Sequence, residues 1–288
     1  MTQLPLSAVS AFVLFSGLAS ISANAATLVH YRMGDDTSLV TDSSGNGHSL
    51  SSTATETVIP ATGDGSAFSN PIPNTGDSNT SMASFSGSQN MAVADPFGSL
   101  TAFTAEAYIN LAGFKSGTQY VMSQWSTSTN GRSWGIGVAS SSGTGTASAN
   151  ELYLLMGTGS SGSEVVPLGL TLTLDTDFYI ALTYDGTTGT NDINLYYQDL
   201  INSSSLMSST ISSGITTSIN NTSGVFRVGA YGASNSANSY WGGNIDEVRV
   251  SDTILAQNDL LAVPEPSSFA LISGLLALLC VNRRHRRA

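Results

Sequence analysis

Residues 103–109 read FTAEAYI, a run in which large or small apolar side chains alternate with more polar ones. Successive side chains of a β-strand point to opposite faces of the sheet, so a period of two predicts a half-buried strand. The odd-numbered positions from Phe103 to Ile109 are expected to face the core, and Glu106 is expected to face outward. This run therefore indicates a β protein rather than a helical one.

Comparable apolar and aromatic runs recur along the chain, separated by turns rich in Gly, Ser and Asn. The predicted strands are Thr27–Met33, Ser81–Phe85, Phe103–Ile109, Tyr120–Trp125, Trp134–Ala139, Glu151–Met156, Phe178–Tyr184, Asp192–Gln198, Gly224–Ala230 and Gly243–Val250. Asp185-Gly186 predicts a hairpin between two of these runs. Many short strands of this kind are typical of an all-β sandwich or barrel, and no linker divides the body of the chain, so one domain is expected. Only Thr253–Leu261, capped by Asp252, is predicted to be helical.

The composition excludes several classes of protein. Only 10% of the 288 residues are charged, against about 25% in a typical soluble domain, which excludes a coiled coil. Nine basic residues against 20 acidic ones give a net charge of −11, so nucleic acid is not an expected partner. Cys280 is the single cysteine, which excludes an internal disulfide and a cysteine-based zinc site.

The amino terminus is predicted to be a secretory signal peptide spanning residues 1–25. An apolar run from Ala11 to Ile21 is followed by the small-residue sequence Ala23-Asn24-Ala25, which is typical of a cleavage site. No Lys or Arg precedes the apolar run, so only the α-amino group supplies positive charge. The alternative is a buried amino-terminal helix.

The carboxy terminus, residues 263–288, has a different pattern. Pro264-Glu265-Pro266 precedes an apolar run at 269–281 and a cluster of arginines at 283–287. Thirteen helical residues span about 20 Å, short of the ~30 Å hydrocarbon core, but flanking serines and snorkelling arginines allow the segment to lodge in a membrane. The arginines would then stay on the cytoplasmic side. This is the only membrane contact that the sequence predicts.

This order of Pro-Glu-Pro, short apolar helix and arginine-rich end resembles the PEP-CTERM sorting signal of Gram-negative bacteria. The resemblance implies recognition by an exosortase-type processing enzyme, transient anchoring in the inner membrane, and delivery to the cell surface, outer envelope or extracellular matrix. An ordinary carboxy-terminal membrane anchor is the alternative. Without both ends, residues 26–262 keep five basic and 19 acidic residues, a net charge of −14.

Several motifs of residues 26–262 together resemble the LamG-like, concanavalin A-like jelly roll. In chain order they are YRMGD at 31–35, DSSGNGH at 42–48, FTAEAYI at 103–109, LTYDG at 182–186 with LYY at 195–197, and WGGNIDEVRV at 241–250. The resemblance implies a two-sheet jelly-roll sandwich over the whole body of the chain. The family includes carbohydrate-binding modules, adhesion domains and some enzymes, so the fold does not settle the function.

The resemblance also implies a structural calcium ion. Asp42, Asn46 and Asp246 are the candidate ligands, with Asp35 as a weaker one, because Ca²⁺ prefers carboxylate and carbonyl oxygens. The alternative for Asp42 and Asn46 is an Asx turn that satisfies local backbone groups. The alternative for Asp246 and its neighbour Glu247 is bonding to backbone groups and to Arg249, two residues along the same strand.

Sugar binding usually needs an aromatic platform beside amide and carboxylate groups. Trp125 lies at a predicted strand end among Gln, Ser, Thr and Asn, and Tyr240 and Trp241 follow an Asn- and Ser-rich loop, so these three are the candidate ligand-binding residues. The alternative for Trp241 is core packing. Trp134 alternates with Ile136 and is predicted to lie in the core.

No catalytic residues are predicted. Related glucanases use carboxylates at alternate positions of one strand, but the glutamates of this chain are widely separated: Glu56, Glu106, Glu151, Glu164, Glu247 and Glu265. The sequence therefore predicts an exported, non-catalytic protein that recognises a polysaccharide, a cell-surface glycan or another surface partner. The alternatives are a divergent polysaccharide hydrolase or lyase, and a purely structural matrix protein.

Overall fold

The computed structural model of the chain describes residues 27–36, 38–52, 57–60, 68, 71–98, 100–126, 132–157, 162–187, 190, 192–202, 205–215, 224–233 and 236–264. The predicted signal peptide, and the sorting segment beyond Pro264, lie outside these residues. Within the part of the chain that is described, no helix is long and apolar enough to cross a membrane.

The described residues fold almost entirely into strands. These are β1 (Thr27–Tyr31), β2 (Ser51–Ser52), β3 (Thr57–Pro60), β4 (Ser81–Ser86), β5 (Met91–Ala94), β6 (Ala102–Leu111), β7 (Gln119–Trp125), β8 (Arg132–Val138), β9 (Glu151–Gly157), β10 (Ser163–Thr171), β11 (Asp177–Asp185), β12 (Ile193–Asp199), β13 (Met207–Ile211), β14 (Val225–Val228), β15 (Tyr231–Ala233), β16 (Ser236–Asn238) and β17 (Gly242–Ser251).

The strands form two antiparallel sheets and one small hairpin. The first sheet has the order β13-β12-β11-β6-β17-β4-β3, and β1 pairs with the second half of β17. The second sheet has the order β10-β9-β8-β7-β14-β5-β2, and β15 pairs only with β16. Every predicted strand is present with ends that differ by at most two residues, and the two sheets confirm the all-β sandwich.

The core lies between the two sheets. Phe103 and Ile109 of β6 point into it, as the alternation in FTAEAYI predicts, and so do the intervening odd-numbered alanines. Trp134 and Ile136 of β8 face them from the second sheet. The rings of Phe103 and Trp134 are stacked, with centroids 4.7 Å apart.

Glu106 points to the outer face of the first sheet, as predicted, but it is only 1% exposed. The carboxy-terminal segment covers this face, and the Leu261 amide donates to Glu106 Oε2 (2.9 Å). Arg249 forms an ion pair with Glu106, and the Tyr179 hydroxyl donates to it. Glu106 thus holds the end of the domain onto the sheet.

The predicted helix at Thr253–Leu261 is wrong, because only Gln257–Asp259 form a single 3-10 turn. The amide of Leu255 donates to Thr104 Oγ1 (2.9 Å), and the amide of Leu261 donates to Glu106. Backbone amides that are bound to side chains of the sheet cannot also bond to helical carbonyls. Tertiary contacts therefore override the helical pattern of this segment.

Candidate functional site

An aromatic cluster lies on the outer face of the second sheet, on the opposite side from the main core. We call Tyr120, Trp125, Tyr153 and Tyr231 the outer aromatic cluster. The Tyr231 ring lies 4.8 Å from the Tyr120 ring and 5.0 Å from the Trp125 ring, measured between centroids. Tyr231 comes from β15, so the β15–β16 hairpin lies over β7 and covers part of this face.

Two glycines of β8 make room for these rings. Gly135 and Gly137 alternate with the core residue Ile136, so they face the outer side of the sheet. A Cβ atom on Gly135 would lie 3.0 Å from the Tyr120 ring, and one on Gly137 would lie 3.0 Å from the Tyr153 ring. The absence of side chains at these positions lets both rings pack directly against the strand.

The structure places the three predicted ligand-binding aromatics in different environments. Trp125 belongs to the outer aromatic cluster but is only 5% exposed, because Tyr231 lies against it. Tyr240 is half-buried, and its hydroxyl donates to the Ala237 carbonyl (2.7 Å). Tyr240 and Tyr231 are therefore the rings in this region that present accessible surface.

Trp241 lies in the main core. Its side chain is 0% exposed, and its indole Nε1 donates to the Asn110 carbonyl (3.2 Å). A ring without accessible surface cannot stack against an external sugar, so the structure corrects the assignment of Trp241 as a ligand platform. Trp241 is thus separated from its half-buried neighbour Tyr240, although both precede β17 directly in the chain.

A buried arginine anchors the hairpin beside these rings. Arg227 of β14 is 4% exposed, and its Nη1 donates to Asn90 Oδ1 (2.7 Å) while its Nε donates to the Gly232 carbonyl (3.2 Å). Burial lowers the pKa of Arg227, and the nearby Tyr240 opposes this shift. Sequence reasoning missed Arg227 and Tyr231, although the polar residue between Phe226 and Val228 indicates a side chain on the outer face.

Asp42 organises the glycine loop that follows β1. Its Oδ1 accepts the amides of His30 (3.1 Å) and Ser44 (3.0 Å), and its Oδ2 accepts the amide of His48 (2.9 Å). Burial alone would raise the pKa of Asp42, but hydrogen bonds led by those from Ser44 outweigh it and lower the pKa. These contacts match the Asx-turn alternative, with both carboxylate oxygens engaged by the protein itself.

Asn46 is also engaged with the backbone. Its Nδ2 donates to the carbonyls of Thr27 (2.8 Å) and Leu28 (3.0 Å), which attaches the glycine loop to β1. Asp42 and Asn46 thus lie in one loop, and Asp246 contacts a different set of residues.

Asp246 is buried in the middle of β17, with 1% exposure. Its Oδ2 and the Oδ2 of Asp35 are both buried without a hydrogen-bond partner. Burial, followed by the charge of Glu247, raises the pKa of the Asp246 carboxyl well above its usual range, with a smaller contribution from Asp35, and the nearby side-chain amide of Asn79 opposes these effects. Asp35, Asn79 and Asp246 therefore share one buried polar pocket.

A bulge in β17 creates this arrangement. The pairing with β6 shifts register between Asp246 and Arg249, and Glu247 has a φ of 47°. Of the alternative to calcium binding, the backbone contact is present, since Asp246 Oδ1 accepts the Glu247 amide (2.8 Å), but the pairing of Glu247 with Arg249 is absent, because the bulge directs Arg249 to Glu106. Glu247 instead lies 2.6 Å from His30 Nε2 and accepts from Arg32 Nε (3.1 Å).

No preformed metal centre of acidic, His or Cys side chains is present among the described residues, since no three of them are suitably grouped.

Most of the described glutamates have structural partners. Glu151 accepts the amides of Ser148 and Gly169 (both 2.8 Å), and Glu106 and Glu247 are ion-paired. Glu164 is exposed on β10.

A family model described as the concanavalin A-like lectin/glucanases superfamily matches residues 85–260. A search of curated proteins found no significant match.

Solved structures with the same fold are only distantly related in sequence. Tailspike protein 2 of an Escherichia coli O157:H7 bacteriophage has a TM-score of 0.51 at 12% identity, over 76% of this chain and 27% of that one. Domain 4 of an arabinanase from Geobacillus stearothermophilus, in complex with arabinotriose, has a TM-score of 0.45 at 15% identity, over 81% of this chain and 95% of that one. The botulinum neurotoxin DC binding domain, in complex with SialylT, has a TM-score of 0.49 at 10% identity, over 81% of this chain and 50% of that one.

Proposed function

The chain belongs to the concanavalin A-like lectin/glucanases superfamily, and we propose that it is an exported, non-catalytic protein that binds polysaccharide at the outer aromatic cluster. The observation that carries the proposal is a pair of partly accessible rings: Tyr231 in the outer aromatic cluster, and Tyr240, which lies near the Arg227 side chain that anchors the same hairpin. The fold itself is compatible with several functions, so a binding function depends on this surface.

Tyr231 is suited to stacking against the apolar face of a sugar ring. It lies on Tyr120 with an interplanar angle of 25° and against Trp125, so its ring is supported from below. A ring that is already fixed loses little side-chain entropy on binding, which favours affinity. The Gly232 contact of Arg227 further fixes the strand that carries Tyr231.

Neutral hydrogen-bonding side chains directly precede Tyr240 in the chain. Asn238 is exposed and Ser239 is half-buried, and Ser239 Oγ accepts from Thr118 Oγ1 (3.0 Å) and donates to Asn238 Oδ1 (3.1 Å). Amide and hydroxyl groups can donate to and accept from sugar hydroxyls. The net charge of −14 over residues 26–262 opposes anionic polysaccharides, so the proposed ligand is uncharged.

The roles of the glutamates support a non-catalytic function. Glycoside hydrolysis uses two carboxyl groups that face each other across the bond to be cleaved. Glu106 and Glu247 are buried in ion pairs, and Glu151 binds two backbone amides. Each of these carboxylates therefore already has a structural partner.

We also propose that a calcium ion binds between Asp35, Asn79 and Asp246. Two buried carboxylate oxygens without partners, Oδ2 of Asp35 and of Asp246, fit an ion that prefers oxygen ligands. Asp246 is thus retained as a ligand. Asp35 and Asn79 replace Asp42, both of whose carboxylate oxygens accept backbone amides, and Asn46, whose Nδ2 donates to the carbonyls of β1. The ion would neutralise the buried carboxylates and hold the segment after β1 against β17.

The sequence of the two ends supports the proposed location. Residues 1–25 have the pattern predicted for a signal peptide, and Pro264-Glu265-Pro266 with the following apolar run and arginines resembles a sorting segment for an exosortase-type enzyme. We therefore place the domain at the cell surface or in the extracellular matrix, where polysaccharides are abundant.

The proposal is tested by presenting the full-length protein to an array of neutral and anionic glycans and by assaying the bound glycans for turnover. We expect saturable binding to uncharged glycans and no release of new reducing ends. Cleavage of a bound glycan would contradict the non-catalytic role. Absence of saturable binding to any glycan would favour a purely structural matrix protein.

A further inference from the structure

An open cleft of about 550 Å³ lies at one side of the sandwich. It lies between β10, the edge strand of the second sheet, and the residues that follow β13, the edge strand of the first sheet. Its volume is in the range of about 300–1,000 Å³ that is usual for ligand sites. It is formed by residues Gly145, Thr146, 163–167 of β10, Ser212 and Ser213.

The lining of the cleft combines apolar surface from residues such as Val165 and Pro167 with several polar groups, and it carries no basic side chain. Hydroxyl groups come from Thr146 and from three serines, and Glu164 contributes an exposed carboxylate. Ser213 is held in place, because its amide donates to Asp192 Oδ1 (2.8 Å) and its Oγ accepts the amide of Ile215 (2.9 Å). A carboxylate with several hydroxyls is suited to an uncharged polyhydroxylated ligand and not to an anion.

The edge strand β10 adds backbone groups to this lining. The Val165 carbonyl accepts from Thr146 Oγ1 (2.8 Å), so it points away from β9. Both backbone groups of a residue in an antiparallel strand point to the same side, and the side alternates along the chain. The backbone groups of Ser163 and Pro167 therefore also point away from β9. Because Pro167 has no amide hydrogen, it leaves no unpaired donor on this edge.

The cleft is connected to the outer aromatic cluster through one loop and one side chain. Ala139 and Ala147 pack against the cluster, while Gly145 and Thr146, from the same loop, line the cleft. Val165 does both, since it packs against the cluster and lines the cleft. Three strand spacings separate β10 from β7, a distance of about 14 Å that a chain of several sugars can span.

We propose that this cleft is a second subsite for the same uncharged polysaccharide, contacting sugar units further along a chain that lies across the outer aromatic cluster. This inference rests on the proposed function. Glu164 accepts hydrogen bonds from sugar hydroxyls, and Val165 and Pro167 provide apolar contact for a ring face. The protein then prefers long neutral chains to short ones.

The test compares disaccharides and hexasaccharides of the cellulose, xylan and mannan series, titrated into the full-length protein by calorimetry. We expect the hexasaccharide of the preferred series to bind at least about tenfold more tightly than its disaccharide. Glu164→Gln and Thr146→Val should remove about tenfold of the hexasaccharide affinity and leave the disaccharide affinity unchanged. Asp259→Asn, an exposed carboxylate outside the cleft, is the matched control.

The outcomes distinguish this inference from the proposed function. If Tyr240→Ala weakens binding of both oligosaccharides but Glu164→Gln and Thr146→Val leave the hexasaccharide affinity unchanged, the cleft is not a subsite and the proposed function stands. If the unmodified protein binds no oligosaccharide, both are overturned. Amide NMR shifts of Ser163 and Val165 with the hexasaccharide, and not with the disaccharide, would support the cleft independently of any variant.

Discussion

The imidazole Nε2 of His30 lies 2.6 Å from Oε2 of Glu247, a residue 217 positions later in the chain. This contact joins β1 to β17, whose backbones are also paired. Arg32 binds the other oxygen of the same buried carboxylate. The first sheet therefore includes β1, which lies well before residue 85, where the match to the family model begins.

Replacing Glu247 with alanine is expected to destabilise the fold. The change leaves the side chains of His30 and Arg32 without their carboxylate partner, and breaking a buried ion pair costs about 3–5 kcal/mol. Urea unfolding of the full-length protein measures this loss. Asp36→Ala, which removes the more exposed partner of Arg32, is the control and should cost less than about 1 kcal/mol. Equal effects of the two variants would contradict the account.

The Asp42 loop is expected to lose stability in acid. Because hydrogen bonds lower the pKa of Asp42 in the folded state, its contribution is complete above the unfolded pKa of about 3.9 and is lost as the pH falls through the folded value. Asp42→Asn should therefore lower the melting temperature at pH 6 and have a smaller effect at pH 3. If Asp42→Asn lowers the melting temperature equally at both pH values, the charge of Asp42 is not involved.

Calcium is expected to raise the melting temperature through Asp35 and Asp246. At about 100 times its Kd, a ligand stabilises the folded state by about 2.7 kcal/mol, which corresponds to roughly 5–10 °C for a domain of this size. EDTA should reverse the shift, Asp246→Asn should abolish it, and Asp42→Asn should retain it. If millimolar calcium leaves the melting temperature unchanged, the site is disproved. If the calcium-induced shift is lost in Asp42→Asn and kept in Asp246→Asn, the ion binds at the Asp42 loop instead.

Gly137→Ala is expected to disturb the outer aromatic cluster. The added Cβ would lie 3.0 Å from the Tyr153 ring and 3.0 Å from the Gln119 carbonyl, and overpacking of this kind costs about 1–3 kcal/mol. Chemical denaturation and near-ultraviolet circular dichroism would detect the change. Gly113→Ala, where a Cβ would meet nothing within 4 Å, is the matched control and should be nearly neutral.

Alternating patterns predicted the strands well because they depend on local chemistry. β6 and β8 have apolar side chains at every second position, and both were predicted from that period. β10 was missed because Pro167 and Gly169 interrupt its pattern, which an edge strand tolerates. β13 was missed because its Ser and Thr residues carry no hydrophobic signal on an exposed edge.

The candidate sites were less predictable, because they depend on contacts between distant residues. The bulge at Glu247 has no local sequence signature, and it decides that Glu247 meets Arg32 and that Arg249 meets Glu106. The position of Asp246 beside Asp35 and Asn79 likewise follows from the pairing of β17 with its neighbours. Composition alone could not distinguish the accessible Tyr240 from the buried Trp241.

The most direct test of glycan binding at the outer aromatic cluster is a titration of the Tyr231→Ala/Tyr240→Ala double variant with the neutral polysaccharide that the unmodified protein binds on the array. The account predicts that affinity falls by at least about tenfold, as expected when central aromatic contacts are removed, while Tyr196→Ala on the first sheet leaves it unchanged. Undiminished affinity in the double variant, with the fold intact, would contradict the account.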